Sequence, residues 1–289
     1  MRELPRRTGG PEIEWVKADF TAKLAKKREY VARVWPLEGV PMDKVERALA
    51  LLHPTGNPFL DLCLWKTRFP SSKTRFCTDE LKLVPMFETV QRAILEAGDT
   101  LISWQGVRHE ESIARRDLPM LQRINPVPYS LPVATRRAGE AWTAYAYRPL
   151  VEWREEEVFA FHRKHSVPWN PLYDKGMKRV GCFPCVMVRK EEMLSIATHF
   201  PEHVDKIEAW EALVTEVAKK GRMTFFNILN DPLISSGWER DDYDWSPERV
   251  GIRARVEWSK TSRGGLQYDG LALMQADFNT SCNQWGACE

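Results

Sequence analysis

Val167-Pro168-Trp169-Asn170-Pro171-Leu172-Tyr173-Asp174-Lys175-Gly176-Met177-Lys178-Arg179-Val180-Gly181-Cys182-Phe183-Pro184-Cys185-Val186-Met187-Val188 is the stretch on which the reading of this chain turns. It ends with two thiols separated by two residues, one of them proline. That spacing lets both sulfurs face one metal ion or one iron–sulfur cluster, and Pro184 keeps the loop out of a helix. The residues before it are turn formers and cations: Asn170, Pro171, Asp174, Lys175, Gly176, Lys178 and Arg179. Such a loop suits an anionic ligand held beside a metal site. A third thiol, Cys77, lies far upstream in Thr74-Arg75-Phe76-Cys77-Thr78-Asp79-Glu80-Leu81-Lys82, a second basic stretch rich in helix-capping residues. The two segments are expected to fold together, with Cys77, Cys182 and Cys185 at one metal site.

Working outward, 289 residues can bury a core of useful size, which makes one large domain, or one domain with a tail, the natural expectation. No apolar run reaches membrane-spanning length. The first residues, Met1-Arg2-Glu3-Leu4-Pro5-Arg6-Arg7, lack the apolar core of a secretory signal, which predicts a cytoplasmic, reducing setting. There, six cysteines read as metal ligands or working thiols before structural disulfides. With a net charge of only +2, nothing suggests a global polyanion-binding surface. The cations instead collect in loops, which points to a small anion.

The periodicities predict an α/β chain. Glu12–Val16 alternates as a strand, and a helix with a basic face (Lys23, Lys26, Lys27, Arg28) follows to about Trp35. A short helix spans Met42 to Leu52. Cys63 stands among Leu62, Leu64 and Trp65, the setting of a buried structural cysteine. Thr78 or Asp79 caps a helix running to about Ala97, so Cys77 sits where free amides and the helix dipole favour a thiolate. Thr100–Trp104 is a strand, and Gly106 and Arg108 follow its carboxyl end, where open α/β sheets bind phosphate or sulfate. Glu111 and Ser112 cap and orient that loop. Asn125–Pro132 is irregular, and Ala141–Tyr147 is a strand. Glu152–His165 is an amphipathic helix with Val158, Phe159, Phe161 and His162 as inward candidates. Helices follow at Lys190–Thr198 and Pro201–Lys219. The expected division is a domain over 1–230 and a loosely packed tail over 231–289 that carries Cys282 and Cys288.

Three motifs in this order, Arg75-Phe76-Cys77-Thr78 with Lys82, Gly106-Val107-Arg108 with Glu111-Ser112, and Arg148-Pro149-Leu150-Val151-Glu152-Trp153 leading to the cysteine loop, resemble the phosphoadenosine phosphosulfate (PAPS) reductase family. That family lies within the PP-loop adenine-nucleotide α-hydrolase superfamily. The match runs from about Glu12 to His203 and looks most like the phage and prophage branch. The resemblance implies an incomplete Rossmann-like parallel sheet flanked by helices. It implies an oxidoreductase that reduces the sulfate of an adenylyl sulfate-type nucleotide to sulfite, with a thiol donor such as thioredoxin. Cys77, Cys182 and Cys185 would hold a [4Fe–4S] cluster, with zinc as the alternative, and Phe76 stands where a fourth cysteine would be. Lys82, Gly106, Arg108, Lys175, Lys178 and Arg179 would bind the nucleotide. Arg108 also steadies charge during catalysis, and Cys282 and Cys288 are the candidate catalytic thiols of the tail. Two other readings stand beside this one: cluster-dependent sulfur transfer to nucleic acid, and a non-catalytic binding protein. The S-G-G-x-D-S phosphate loop that opens the superfamily fold is not in this sequence; Thr8-Gly9-Gly10 runs into Pro11. The first strand, its loop and the second strand are therefore expected to be missing, which would leave an exposed sheet edge, weak nucleotide binding and a tendency to dimerise.

Overall fold

The computed structural model describes residues 9–10, 12–178, 180–219, 221–226 and 250–261. Helix α1 (Thr21–Val34) starts behind Asp19, whose carboxylate accepts from Thr21 N at 2.8 Å and Thr21 Oγ1 at 2.6 Å. Phe20, Leu24, Val31 and Trp35 bury its inner face, with Lys23 and Lys27 half-buried and Lys26 exposed. Helix α2 (Met42–Leu51) buries Val45 and Ala48. Helix α3 (Pro58–Lys66) has proline in its first turn and Asn57 as cap, with Oδ1 accepting from Phe59 N and Leu60 N. Its Leu60, Leu62, Cys63 and Leu64 are all buried, so the helix is packed on every side. Asp61 is tolerated there because its Oδ1 accepts from both the amide and the hydroxyl of Thr55.

Helix α4 covers residues 76–96 in consecutive pieces: α-helical Phe76–Thr78, π-helical Asp79–Leu83, α-helical Val84–Met86, π-helical Phe87–Gln91 and α-helical Arg92–Glu96. Pro85, which has no amide hydrogen for the usual ladder, sits between the two π segments. This helix joins two cores. Phe76, Cys77 and Leu81 pack against the larger one, built from α1 to α3 and the C-terminal helices. Leu83, Phe87 and Leu95 face the sheet and pack with Leu101, Ile124, Val127, Ala144 and Ala146.

The sheet has the order β1-β3-β2, with β1 (Leu101–Trp104), β2 (Leu121–Arg123) and β3 (Ala144–Tyr147). β1 and β3 are parallel, Leu101 opposite Ala144, while β2 is antiparallel to β3, Leu121 opposite Tyr147. The protein is thus a mixed α/β chain with a small sheet, parallel in part and flanked by helices. Among the described residues β1 pairs on one side only. Ile102, Trp104 and Leu121 are exposed on the face away from α4, and Trp104 rests edge-on against Tyr147 with ring centres 4.9 Å apart.

Several expectations need correction. Glu12–Val16 is not a strand; it is an irregular segment, with Ile13 and Trp15 exposed. Alternation makes a segment fit for a sheet, but a strand exists only where a neighbour supplies the ladder. The short strand β2 and helix α5 (Val133–Ala138) were not legible in the pattern. Helix α6 (Glu155–Lys164) buries none of its residues, and Phe161 is exposed. Its aromatic rings meet Trp153, Trp169 and Tyr173 at the surface instead of entering a core.

Helices α7 (Lys190–His199) and α8 (Pro201–Glu216) close the larger core through Met193, Ile196, Val204, Ile207 and Val214. Residues 250–261, inside the segment read as a loose tail, form helix α9 (Ile252–Ser259), whose Ile252 and Val256 enter that core. One apolar pair at i,i+4 was too short a signal to announce it. Buried Glu211 of α8 ties the chain there, accepting from Phe225 N at 2.7 Å and Ile252 N at 3.0 Å. Gly251 is needed on two counts: its φ is +101°, and an added Cβ would lie 2.6 Å from Glu211 Oε2. No helix among the described residues is long and apolar enough to cross a membrane.

Candidate functional site around Cys77, Cys182 and Cys185

The cysteine loop leaves a 3₁₀ turn at Tyr173–Lys175, closed by Gly176 with φ +79°. Met177 then anchors it in the larger core. The Phe183 ring packs edge-on against Phe200 at 5.0 Å and His203 at 4.8 Å, which pins the residue between the two thiols to the start of α8. Downstream, Val188 N donates to Cys185 O at 3.0 Å and Met187 N to Cys185 Sγ at 3.4 Å. Cys182 is exposed and Cys185 half-buried. Both line a pocket floored by Met177, Val188, Ile196 and the buried carboxylate of Glu192.

Cys77 approaches from α4. Its thiol is pushed up to about 11, first by burial and then by the neighbouring Cys182 and Cys185, against the opposing pull of Lys82 and the Thr78 amide. Cys77 therefore lies within electrostatic reach of Cys182 and Cys185. The structure overturns the expected thiolate: the helix-start amide is present, but burial and two like-charged neighbours outweigh it. Cys63 is fully buried, and its thiol is raised by burial and then by Cys77. Among the described residues no three His, Cys, Asp or Glu side chains converge closely enough to hold a metal ion as they stand.

The start of α4 is held by a network that sequence reading missed. Glu80, buried, takes Lys23 Nζ at 2.7 Å and Lys66 Nζ at 3.1 Å. Both ammonium groups also lie over the Trp65 ring, at 4.4 and 3.8 Å. The basic face of α1, read as merely solvated, thus supplies one clamp on the helix carrying Cys77.

A second group of side chains sits at the carboxyl ends of β1 and β3. Gln105 N donates to Tyr147 O and His109 N to Val151 O, both at 2.8 Å, so β3 and the turn after it fix the 105–109 loop. The fully buried Arg148 reaches back to Gln105 Oε1 at 2.9 Å and Pro119 O at 3.0 Å. Burial, and then the nearby Arg115, lower its pKa. Arg115 pairs with Glu111, and Arg108 lies 3.4 Å from Glu111 and 3.5 Å from Glu110. Ser112 Oγ is shielded from solvent yet has no hydrogen-bond partner, and Arg108 Nε, also shielded, makes only the long ion-pair contact to Glu111.

The other predicted residues scatter. Lys82 acts on Cys77. Lys175 Nζ lies over the Phe200 ring at 5.1 Å, and Lys178 is exposed, 3.5 Å from Glu191. Gly106 is exposed at the end of β1. Among the described residues the walls of the cysteine pocket include none of Gly106, Arg108, Lys82, Lys175 and Lys178. Arg179, Cys282 and Cys288 lie outside the described residues.

Comparison with known proteins bears on this arrangement. Residues 61–188, which hold both thiol segments and the Arg108 loop, match the phosphoadenosine phosphosulfate reductase domain. The 37.8 kDa uncharacterised protein of the gpa 5′ region of Escherichia phage 186 is 39% identical over 97% of this chain and 81% of its own length. The chain belongs to the PAPS reductase family. Within the family it is also similar to the adenosine 5′-phosphosulfate reductase of Allochromatium vinosum, 35% identical over 35% of this chain and 33% of that enzyme. The enzyme of the same name from Geobacillus thermodenitrificans is 28% identical over 42% of this chain and 40% of its own length. The match thus spans a third to two-fifths of these reductases. No solved structure matches the chain.

Proposed function

We propose that this PAPS reductase-family chain serves reductive sulfur chemistry on an adenylyl sulfate-type nucleotide, with Cys77, Cys182 and Cys185 as ligands of a thiophilic metal centre. The observation that carries the reading is that Cys77 lies within electrostatic reach of Cys182 and Cys185, more than a hundred residues away in sequence and inside the same matched segment. Cys77, its ionisation disfavoured by burial and by the two neighbouring thiols, forms with them a donor set that a cation relieves, which fits a [4Fe–4S] cluster or zinc; a cation has to draw the sulfurs together. When bound, a cluster would supply electrostatic stabilisation or electrons beside the sulfur.

The chain's own residues then divide the work. Arg108, held only by long ion pairs to Glu110 and Glu111, and Ser112, whose buried Oγ has no hydrogen-bond partner, offer donors to the sulfonyl or phosphate oxygens of the nucleotide. A thiolate attacks the sulfur and the nucleoside phosphate leaves, giving a thiosulfonate. A second thiol displaces sulfite from it, so two thiols become one disulfide as sulfur gains two electrons. Cys282 and Cys288, or an external dithiol such as thioredoxin, are the proposed source of those thiols.

Two experiments bear on this. In calorimetric titration with adenosine 5′-phosphosulfate, Arg108→Ala is expected to weaken binding about tenfold, the size of one charge-assisted contact. Unchanged binding would reduce the arginine to a structural ion pair with Glu110 and Glu111. The parent chain is itself expected to bind in the range of hundreds of micromolar or weaker, because its sequence has no glycine-built phosphate loop. Micromolar binding would mean that another part of the molecule grips the phosphates.

A further inference from the structure

We infer that Glu192 is the positioning residue of the cysteine loop, a role that rests on the metal-site reading of Cys182 and Cys185. Glu192 stands in the first turn of α7, only 3% exposed, and lines the same pocket as the two thiols. Its two oxygens do different jobs. Oε1 accepts from Lys178 N at 3.2 Å, ahead of the cysteines, and Oε2 accepts from Arg189 N at 3.1 Å, behind them. One buried carboxylate therefore closes the loop that contains both sulfurs and fixes its two ends to one point.

That point is itself immobile. The next residue, Met193, and Ile196 one turn on are fully buried in the larger core, so α7 is a rigid base. Inside the closed loop, Met187 N and Val188 N already turn back onto Cys185. The carboxylate thus sets where Cys182 and Cys185 stand relative to Cys77 through its two backbone hydrogen bonds. Only a carboxylate can hold both ends, since it is acceptor-only on both oxygens. A glutamine at this position keeps one acceptor but turns an NH₂ group toward the other amide, so one end of the loop is released.

The test compares the parent chain with Glu192→Gln and Glu192→Asp. Zinc affinity is measured against a chelator, and cobalt(II) is used as a spectroscopic probe of the thiolates. Glu192→Gln is expected to bind zinc about tenfold or more weakly, the loss of one charge-assisted hydrogen bond. Its thiolate-to-cobalt absorption per bound ion should fall as a sulfur leaves the coordination shell. Glu192→Asp keeps two acceptors on a shorter arm and should recover part of both signals. Zinc affinity within twofold of the parent, with an unchanged cobalt spectrum, overturns the proposal. So does a loss of affinity matched by an equal loss in urea stability, which would make Glu192 a general fold residue. A parent chain that binds neither metal sinks the metal reading itself. Amide hydrogen exchange over residues 180–188 then still decides on Glu192: selective acceleration there in Glu192→Gln supports its hold on the loop, and unchanged exchange refutes it.

Discussion

Replacing Cys182 and Cys185 together by serine is expected to weaken zinc binding by about a thousandfold or more and to remove the thiolate absorption of the cobalt-loaded chain. Structural zinc binding is worth roughly 10–16 kcal/mol, so each of four ligands contributes on the order of 3 kcal/mol. Losing two thiolates exceeds anything a neighbouring residue can restore. On the metal-site proposal, the same variant purified without oxygen should contain no iron or sulfide. Cys63→Ala is the control: that thiol is fully buried among Leu62, Leu64 and the α1 contacts, and its removal should leave metal affinity within about twofold. If the double serine variant retains the parent's affinity, the metal site lies elsewhere. If Cys63→Ala matches it, Cys63 is the missing fourth ligand.

Glu211→Ala should cost about 2–4 kcal/mol of stability, read from the urea midpoint. It strips the acceptor from two buried amides, Phe225 N and Ile252 N, each worth about 1–3 kcal/mol when orphaned. Relief of the carboxylate's own desolvation offsets part of this. Burial raises the Glu211 pKa above its ordinary 4.5, against the lowering effect of those two amides and Arg222. The sign for stability follows from that direction. The native state prefers the protonated group, so this residue's pH-linked stability is fully present below about 4.5 and is lost as pH rises through the higher native value. Glu211→Gln should flatten the stability profile just above pH 4.5. A loss under about 0.5 kcal/mol in the alanine variant would show that α9 is held by its apolar contacts alone.

Much of the chain's organisation follows from local chemistry, and there the sequence is a good guide. The turn at Gly176, the runs that become α1, α2, α7 and α8, and strands β1 and β3 depend on near neighbours. So does the family, because its motifs are short, ordered and chemically specific. Other features depend on what stands opposite. Glu12–Val16 has the alternation of a strand but pairs with none among the described residues. Cys77 has the helix start that favours a thiolate, but burial and two facing thiols reverse the effect. Lys23 of α1 looks like part of a solvated face until Glu80 and Trp65 are brought against it. Glu192 is written in the sequence only as an acidic residue early in a helix, the common pattern for capping. That its second oxygen closes the loop behind it onto Lys178 was decided by tertiary packing, since nothing in the order of residues says which distant amide a buried carboxylate will meet.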